Sequence, residues 1–175
     1  MSVNIARQNY CNECETFLNA QVNLKLRNSQ VFASLSAYYD RDNVALPGLR
    51  DFYYKNYQQE REQAFKLISY QNSRGGRVHL AGVSAPPIEF SSAKEGLSKA
   101  LELQKESNDS LIKLSTFSAK QDDPHLQHFI DNELLPVRVK AIKELADFHT
   151  ELKLVFGEGI GLFLWDRELL RKVSA

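Results

Sequence analysis

The sequence has few of the features that mark secreted or membrane proteins. Its 175 residues include only two cysteines, too few for a disulfide framework, which favours a reducing compartment such as the cytoplasm. No apolar run approaches the roughly 20 residues of a membrane span. The first residues also lack the charged start and apolar stretch of a secretory signal. We therefore expect a cytoplasmic protein with no membrane partner.

An excess of charge of either sign is also missing. The 22 Lys and Arg residues are balanced by 22 Asp and Glu residues. Because binding to phosphate backbones depends on a basic surplus, nucleic acid is not an expected partner. A net charge near zero also removes repulsion between copies of the chain and so favours self-association.

Glycine and proline are scarce, and most of the 8 Gly and 5 Pro fall within two short stretches. Both residues interrupt helices, so the sequence outside those stretches predicts long helices. Four of them cover about residues 9–39, 47–72, 92–117 and 123–154, and a short fifth helix covers about residues 159–171.

Four helices of this length are typical of a four-helix bundle. The connector over residues 73–91 is too long for a hairpin, so the second and third helices should be parallel. The predicted fold is an all-α four-helix bundle with a long crossover between helices two and three and a short fifth C-terminal helix, in a single domain over residues 1–175. Pro136 lies inside helix four, and we expect it to kink that helix just before Arg138.

The first predicted helix carries a second apolar stripe, roughly 120° from the first at about 100° per residue. A helix that is buried on one side needs only one stripe. The second stripe indicates either a partner subunit or a neighbouring helix of the same bundle. Its members are Phe17, Leu24, Val31 and Leu35.

Each long helix also carries polar residues at mid-length on its apolar face. Metal sites in bundles use carboxylates and imidazoles, whereas this set contains two cations, one carboxylate and two amides. It therefore predicts a buried salt-bridge layer with a formal charge of +1, which requires either water or a depressed lysine pKa. The alternative is that some of these side chains reach the surface. The residues are Lys25, Glu60, Gln63, Gln104 and Arg138.

Several separated segments closely resemble eukaryotic ferritin, in the correct order and almost from end to end. They are residues 7–10, 40–46, 71–77, 123–126 and 139–145. The resemblance implies a ferritin-like domain, self-association into an octahedral cage of twenty-four subunits, and storage of iron as a ferric mineral in the cytosol.

The same resemblance implies a degenerate ferroxidase position. In ferritin subunits that oxidise iron, the matched positions hold Glu, Glu-x-x-His, Glu and Gln. Here only Glu60 is kept, so we expect neither catalytic iron oxidation nor a tightly bound cofactor at this position. Glu60 and Glu62 remain as weak metal candidates. The replacing residues are Lys25, Gln63, Gln104 and Arg138.

Two further family surfaces are altered in this sequence. The face of helix two that nucleates mineral in light-type ferritin subunits has lost most of its carboxylates: its matching positions here are Lys55, Gln58, Gln59 and Glu62, with Phe65 one turn later. The resemblance places Ser115, His128 and Asp131 at a threefold pore, where three carboxylates would attract cations and His128 would make that attraction pH-dependent unless it is an ordinary interface histidine.

The fifth helix corresponds to the fourfold pore of the family. Ile160 and Leu164 match its apolar plug, and Glu168 follows one turn later. Four converging carboxylates would favour protonation or a bound cation.

Cys11 and Cys14 form a Cys-x-x-Cys at the start of helix one. No second cysteine pair or nearby histidine completes a zinc set, and no strand-turn context indicates thioredoxin chemistry. We therefore expect ordinary reduced thiols.

The sequence thus favours an iron-storage cage subunit without its own ferroxidase activity, which functions by co-assembly with ferroxidase-active subunits. One alternative is a ferritin-shaped cage with a structural, protective or cargo role. Another is an enzyme that uses surviving groups such as Glu60, Glu62 or the pore residues.

Overall fold

The computed structural model describes residues 4–174, and every regular element within that range is helical. The first three bundle helices are α1 (Asn12–Tyr39), α2 (Pro47–Ser73) and α3 (Ala93–Lys120). The fourth is divided into α4 (Pro124–Phe129), a π-helical segment (Ile130–Leu134) and α5 (Leu135–Leu154), and α6 (Gly159–Ser174) follows. This confirms the predicted all-α bundle with a fifth, shorter helix.

Local sequence explains where the helices begin. Pro47 and Pro124 occupy the first turns of α2 and α4, where a missing backbone N–H costs nothing. The Ser92 side chain accepts a hydrogen bond from the Glu95 amide at the start of α3. The Asp123 carboxylate accepts from the Leu126 amide in the same way at α4.

The direction of the helices follows from contacts at their ends. The last turn of α1 packs on the first turns of α2, with the rings of Tyr39 and Tyr53 5.5 Å apart. At the opposite end Tyr10, just before α1, donates a hydrogen bond to Gln71 near the end of α2. Tyr39 also donates to the Ser92 carbonyl, at the start of α3. Both α2 and α3 are therefore antiparallel to α1 and parallel to each other, as predicted.

The long crossover lies along α1. Asn19 donates to the Arg77 carbonyl and accepts from the His79 amide, each at 2.9 Å. Asn23 makes the same pair of bonds one turn later, to the His79 carbonyl and the Ala81 amide. Two asparagines one turn apart thus satisfy the backbone of a segment that has no helix or strand of its own.

The second apolar stripe of α1 is covered partly within the chain. Val31 and Leu35 are buried in the core, Leu24 is half-buried, and Phe17 packs on Phe117 while keeping an exposed face. The neighbouring-helix interpretation therefore accounts for the C-terminal half of this stripe.

The fourth bundle helix is irregular immediately before Pro136. Just before Pro136 the structure has the π-helical segment Ile130–Leu134, while the kink itself stays a prediction. Proline has no N–H with which to continue the regular ladder, and single π turns occur inside α-helices. Arg138 follows this segment and points into the bundle, where it is 1% exposed.

The core consists of two apolar clusters with a polar layer between them. One cluster contains Phe32, Leu97 and Leu145, and the other contains Leu18, Leu67, Leu111 and Leu134. In each bundle helix the polar residue at mid-length lies between the members of the two clusters. No helix within residues 4–174 is both long and apolar enough to cross a membrane.

The C-terminal helix is joined to the bundle by a buried carboxylate. Asp166 accepts hydrogen bonds from the amides of Gly48 and Leu49, at 3.0 and 2.8 Å, in the first turn of α2. The N-cap residue Leu46 makes no side-chain capping bond, so the Asp166 carboxylate caps α2 in its place. A Cβ at position 48 would lie 2.1 Å from the Asp166 carbonyl oxygen, which explains the glycine.

We expect Asp166→Ala to lower the free energy of unfolding by about 1–3 kcal/mol, because two buried amide donors would lose their acceptor. Denaturant midpoints at one protein concentration would measure the effect. The matched control is Asp109→Ala, which removes an exposed carboxylate and should change stability by no more than about 0.5 kcal/mol. Equal midpoints for the two variants would contradict the capping role.

Candidate functional site

The candidate site is the polar layer, and the carboxylate of Glu60 is its centre. Lys25 Nζ lies 3.3 Å from Glu60 Oε2, and the two side chains are 0% and 1% exposed. On the other side Arg138 Nη1 donates to Glu60 Oε1. One buried anion is therefore held between two buried cations, contributed by α1, α2 and α5.

Two amides complete the layer. Gln104 accepts a hydrogen bond from Arg138 Nη1 through its side-chain oxygen and places its nitrogen 3.4 Å from Glu60 Oε1. Gln63 accepts from Arg138 Nη2 at 2.8 Å. The structure thus brings all five predicted residues into one network, and none of the three charged side chains extends to the surface.

The charges in this layer are not fully compensated. Lys25 Nζ, Glu60 Oε2 and Arg138 Nε have no hydrogen-bond partner. Burial lowers the pKa of Lys25 to about 8; Glu60 opposes this change and the like charge of Arg138 reinforces it. For Glu60, burial acts to raise the pKa, but Lys25 and Arg138 outweigh burial and hold it below its usual value. Near pH 7 Lys25 therefore keeps its charge beside the Glu60 carboxylate.

The donor chemistry of this layer does not suit a divalent iron substrate. A charged ammonium or guanidinium group offers no lone pair to a metal, and these groups occupy both sides of the Glu60 carboxylate. Within residues 4–174 no cluster of three or more His, Cys, Asp or Glu side chains is placed to hold a metal ion.

Glu62 lies apart from the polar layer. It is on the exposed face of α2, beside a shallow surface depression that it lines with Tyr54, Arg61 and Phe65. The two carboxylates singled out as weak metal candidates therefore face different environments, with Glu60 inside the bundle and Glu62 in solvent. They do not form a joint site within one chain.

The residues predicted for the threefold pore lie together only in part. Ser115 donates a hydrogen bond to Asp131 Oδ1 at 2.6 Å, which joins α3 to the π-helical segment. The His128 ring pairs instead with Asn132, one turn along its own helix, at 3.0 Å. Neighbouring Glu133 is paired with Lys66 of α2.

The residues predicted for the fourfold pore lie on α6. Ile160 and Leu164 are 77% and 59% exposed, so within one chain they form an uncovered apolar surface. The expectation for Glu168 concerns four converging copies and stays a prediction, but within one chain this carboxylate already has a partner. Arg171 donates to both Glu168 oxygens, at 2.9 and 2.6 Å, and these hydrogen bonds lower the pKa of Glu168.

Three of the hydrogen-bonded contacts described above were missed by the sequence analysis. Arg171 could have been found, because residues three apart on a helix are neighbours. The bond from Asn132 to His128 follows the same rule at a spacing of four. The docking of Asp166 on α2 carries no local signal, because its acceptor and donor residues are more than a hundred positions apart.

Comparisons with known proteins agree with this architecture. The family model described as a ferritin-like domain matches residues 15–155. Soma ferritin of Lymnaea stagnalis is 42% identical over 99% of this chain and 100% of its own length. Ferritin-1 heavy chain of Schistosoma mansoni is 39% identical over 98% and 99% of the two chains. Ferritin-3, chloroplastic, of Vigna unguiculata is 41% identical over 97% of this chain and 68% of its own.

We expect Glu60→Gln to lower the free energy of unfolding by about 3–5 kcal/mol, because it leaves two buried cations without their anion. Denaturant midpoints would measure the loss. Glu62→Gln, two residues away and exposed, should change stability by about 0.5 kcal/mol or less. Comparable midpoints for the two variants would show that the layer contributes no net stability.

The stability contributed at Lys25 should rise with pH. The folded-state pKa of about 8 lies below the unfolded value of 10.5, so between these values the unfolded chain binds more protons and higher pH favours folding. The free energy of unfolding relative to Lys25→Met should increase by about 2 kcal/mol from pH 7 to pH 9.5. Parallel pH profiles for the two proteins would contradict the shifted pKa.

Proposed function

The chain belongs to the ferritin family, and from this premise we propose that it is an iron-storage subunit without a ferroxidase centre of its own. In this proposal it assembles into a cage with ferroxidase-active subunits, which oxidise the iron that the shared cavity stores as mineral. The observation that carries the proposal is the buried ion cluster of Lys25, Glu60 and Arg138.

This cluster opposes iron oxidation for an electrostatic reason. An incoming ferrous ion would have to approach a layer whose three charges sum to +1, in a dry interior where repulsion is weakly screened. It would also have to displace Lys25 or Arg138 from Glu60 to gain a single carboxylate. The interior position therefore serves as a structural salt bridge, and no tightly bound cofactor is needed there.

Other surfaces would then govern the movement of iron. We assign Ser115, His128 and Asp131 to a threefold pore, in which the Asp131 carboxylate attracts cations. We assign Ile160, Leu164 and Glu168 to a fourfold pore. Because Arg171 balances Glu168, this second pore offers little attraction to cations, and the threefold pore is the proposed entry route.

A second candidate function is a cage with a structural, protective or cargo role, in which iron storage is weak. It is favoured by the exposed face of α2. That face presents Lys55, Gln58 and Gln59 together with Phe65, whose side chain is 57% exposed. Such a surface offers few oxygen ligands at which a ferric mineral could nucleate.

The proposed location is the cytoplasm. It rests on the low cysteine content of the chain, which favours a reducing compartment.

We expect the purified homopolymer to oxidise ferrous iron in air no faster than a buffer blank. A restored variant, Lys25→Glu with Gln63→His, Gln104→Glu and Arg138→Gln, should oxidise iron faster by at least about 10-fold, since loss of even the outer-shell partners of a metal site costs about 10–100-fold. The restored variant that also carries Glu60→Ala is the matched control and should return to the blank rate. Stopped-flow absorbance would follow ferric product.

Sizing with detection of iron and protein separates the two candidate functions. Iron retained in the cage peak of co-assembled particles, at a level that rises with the proportion of active subunits, supports storage. Cages that exclude iron even with active partners support the structural role. Rapid oxidation by the unmodified homopolymer would overturn both, and its loss in Glu60→Ala would point to an enzyme that uses Glu60.

A further inference from the structure

The two cysteines form a pair at the first turn of α1. Cys11 is the N-cap residue, and its sulfur accepts a hydrogen bond from the Cys14 amide at 3.0 Å. Cys14 is 0% exposed, whereas Cys11 is half-buried and reaches solvent. The motif thus places one accessible sulfur directly beside one enclosed sulfur.

We propose that Cys11 and Cys14 are a redox-active dithiol, which forms an intrachain disulfide by exchange with a low-molecular-weight disulfide such as oxidised glutathione. The expectation of ordinary thiols rested on the absence of a strand-turn context. The position of Cys11 at the N-cap brings its sulfur next to Cys14 even though no strand precedes the helix.

The spacing of the two residues suits a disulfide. Side chains three positions apart in a helical turn are neighbours, and disulfides join Cα atoms about 4.4–6.8 Å apart. Cys11 has an extended backbone conformation, with φ −73° and ψ 158°, which turns its sulfur over the end of the helix towards Cys14. We therefore expect the bond to form while α1 stays helical.

The frame around the pair is fixed. Tyr10, immediately before Cys11, is buried and donates a hydrogen bond to Gln71 of α2. The Arg74 guanidinium lies 4.8 Å from the centre of the Tyr10 ring and donates to the Asn9 carbonyl at 2.7 Å. These contacts hold the start of α1 in place while the sulfurs change partners.

The two sulfurs have different environments, which assigns them different roles. Burial raises the pKa of Cys14 to about 12, and the neighbouring Cys11 adds to that rise. Cys14 therefore stays a protonated, enclosed thiol in the reduced protein. Cys11 is the sulfur that an external disulfide can reach, and accessible thiolates react first in exchange.

The exchange proceeds in two balanced steps. The Cys11 thiolate attacks one sulfur of oxidised glutathione, a Cys11–glutathione bond forms, and one glutathione thiolate leaves. Cys14 then gives its proton to solvent and attacks the Cys11 sulfur, which forms the Cys11–Cys14 bond and releases the second glutathione. The protein loses two electrons and two protons, and the glutathione disulfide is reduced to two thiols.

A zinc site explains the pair of cysteines less well than disulfide exchange does. Zinc held by thiolates requires four ligands in a structural site. Within residues 4–174 the two cysteines are not part of any group of three or more His, Cys, Asp or Glu placed to hold a metal. Two sulfurs without further ligands fit exchange chemistry.

The test equilibrates the assembled protein with buffers of varied ratio of reduced to oxidised glutathione, followed by rapid alkylation and intact mass measurement. We expect the wild type to pass from two alkylated cysteines to none, with a loss of two hydrogens and no retained glutathione. Cys14→Ser should instead accumulate one glutathione on Cys11, because the resolving thiol is missing.

Cys11→Ser is the matched control, since its hydroxyl can still cap α1. In the folded variant, the remaining Cys14 thiol should react with oxidised glutathione at least about tenfold more slowly than the wild type does. After unfolding, the same thiol should react at the rate of an exposed cysteine. Two free thiols in the wild type at every ratio would overturn the proposal. So would disulfides between chains, or reaction of Cys11→Ser at the wild-type rate.

Discussion

The ion cluster around Glu60 is the constraint on which the centre of this bundle depends. Three helices each contribute one charge to it, and a carboxylate between two cations is stable in an apolar interior only when the helices keep their register. Apolar contacts on either side have no preferred direction and do not by themselves fix how far one helix slides along another. The ion pairs of Glu60 with Lys25 and Arg138 do fix it, because they form at only one register of the helices.

In the proposed function, this cluster replaces the metal ligands that ferroxidase-active members of the family would place at these positions. Lys25 and Arg138 lie on either side of the Glu60 carboxylate and neutralise it. The bundle therefore keeps a filled polar centre, and the dithiol proposed at Cys11 and Cys14 lies apart from it, at the start of α1.

The polar layer could be predicted from the sequence because the helical period alone places mid-length residues on one face. The order and direction of the helices followed from the position of glycine and proline and from the length of the crossover. The π-helical form of the irregularity near Pro136 could not be predicted, because a proline predicts a missing helical hydrogen bond but not how the helix accommodates it. The ion pair between Glu168 and Arg171 was missed for a simpler reason: the two residues are three apart on one helix, and that spacing was not considered.

The hydrogen bonds from the start of α2 to Asp166 have a consequence for the order in which parts of the fold can form during synthesis. The donors lie at Gly48 and Leu49, and their acceptor is 117 or 118 residues further along. During synthesis from the N-terminus, α2 emerges with the amides of its first turn unpaired, and they stay unpaired until α6 has left the ribosome. Capping of α2 therefore reports that α6 has docked, so a chain that ends before Asp166 would keep these two amides uncapped.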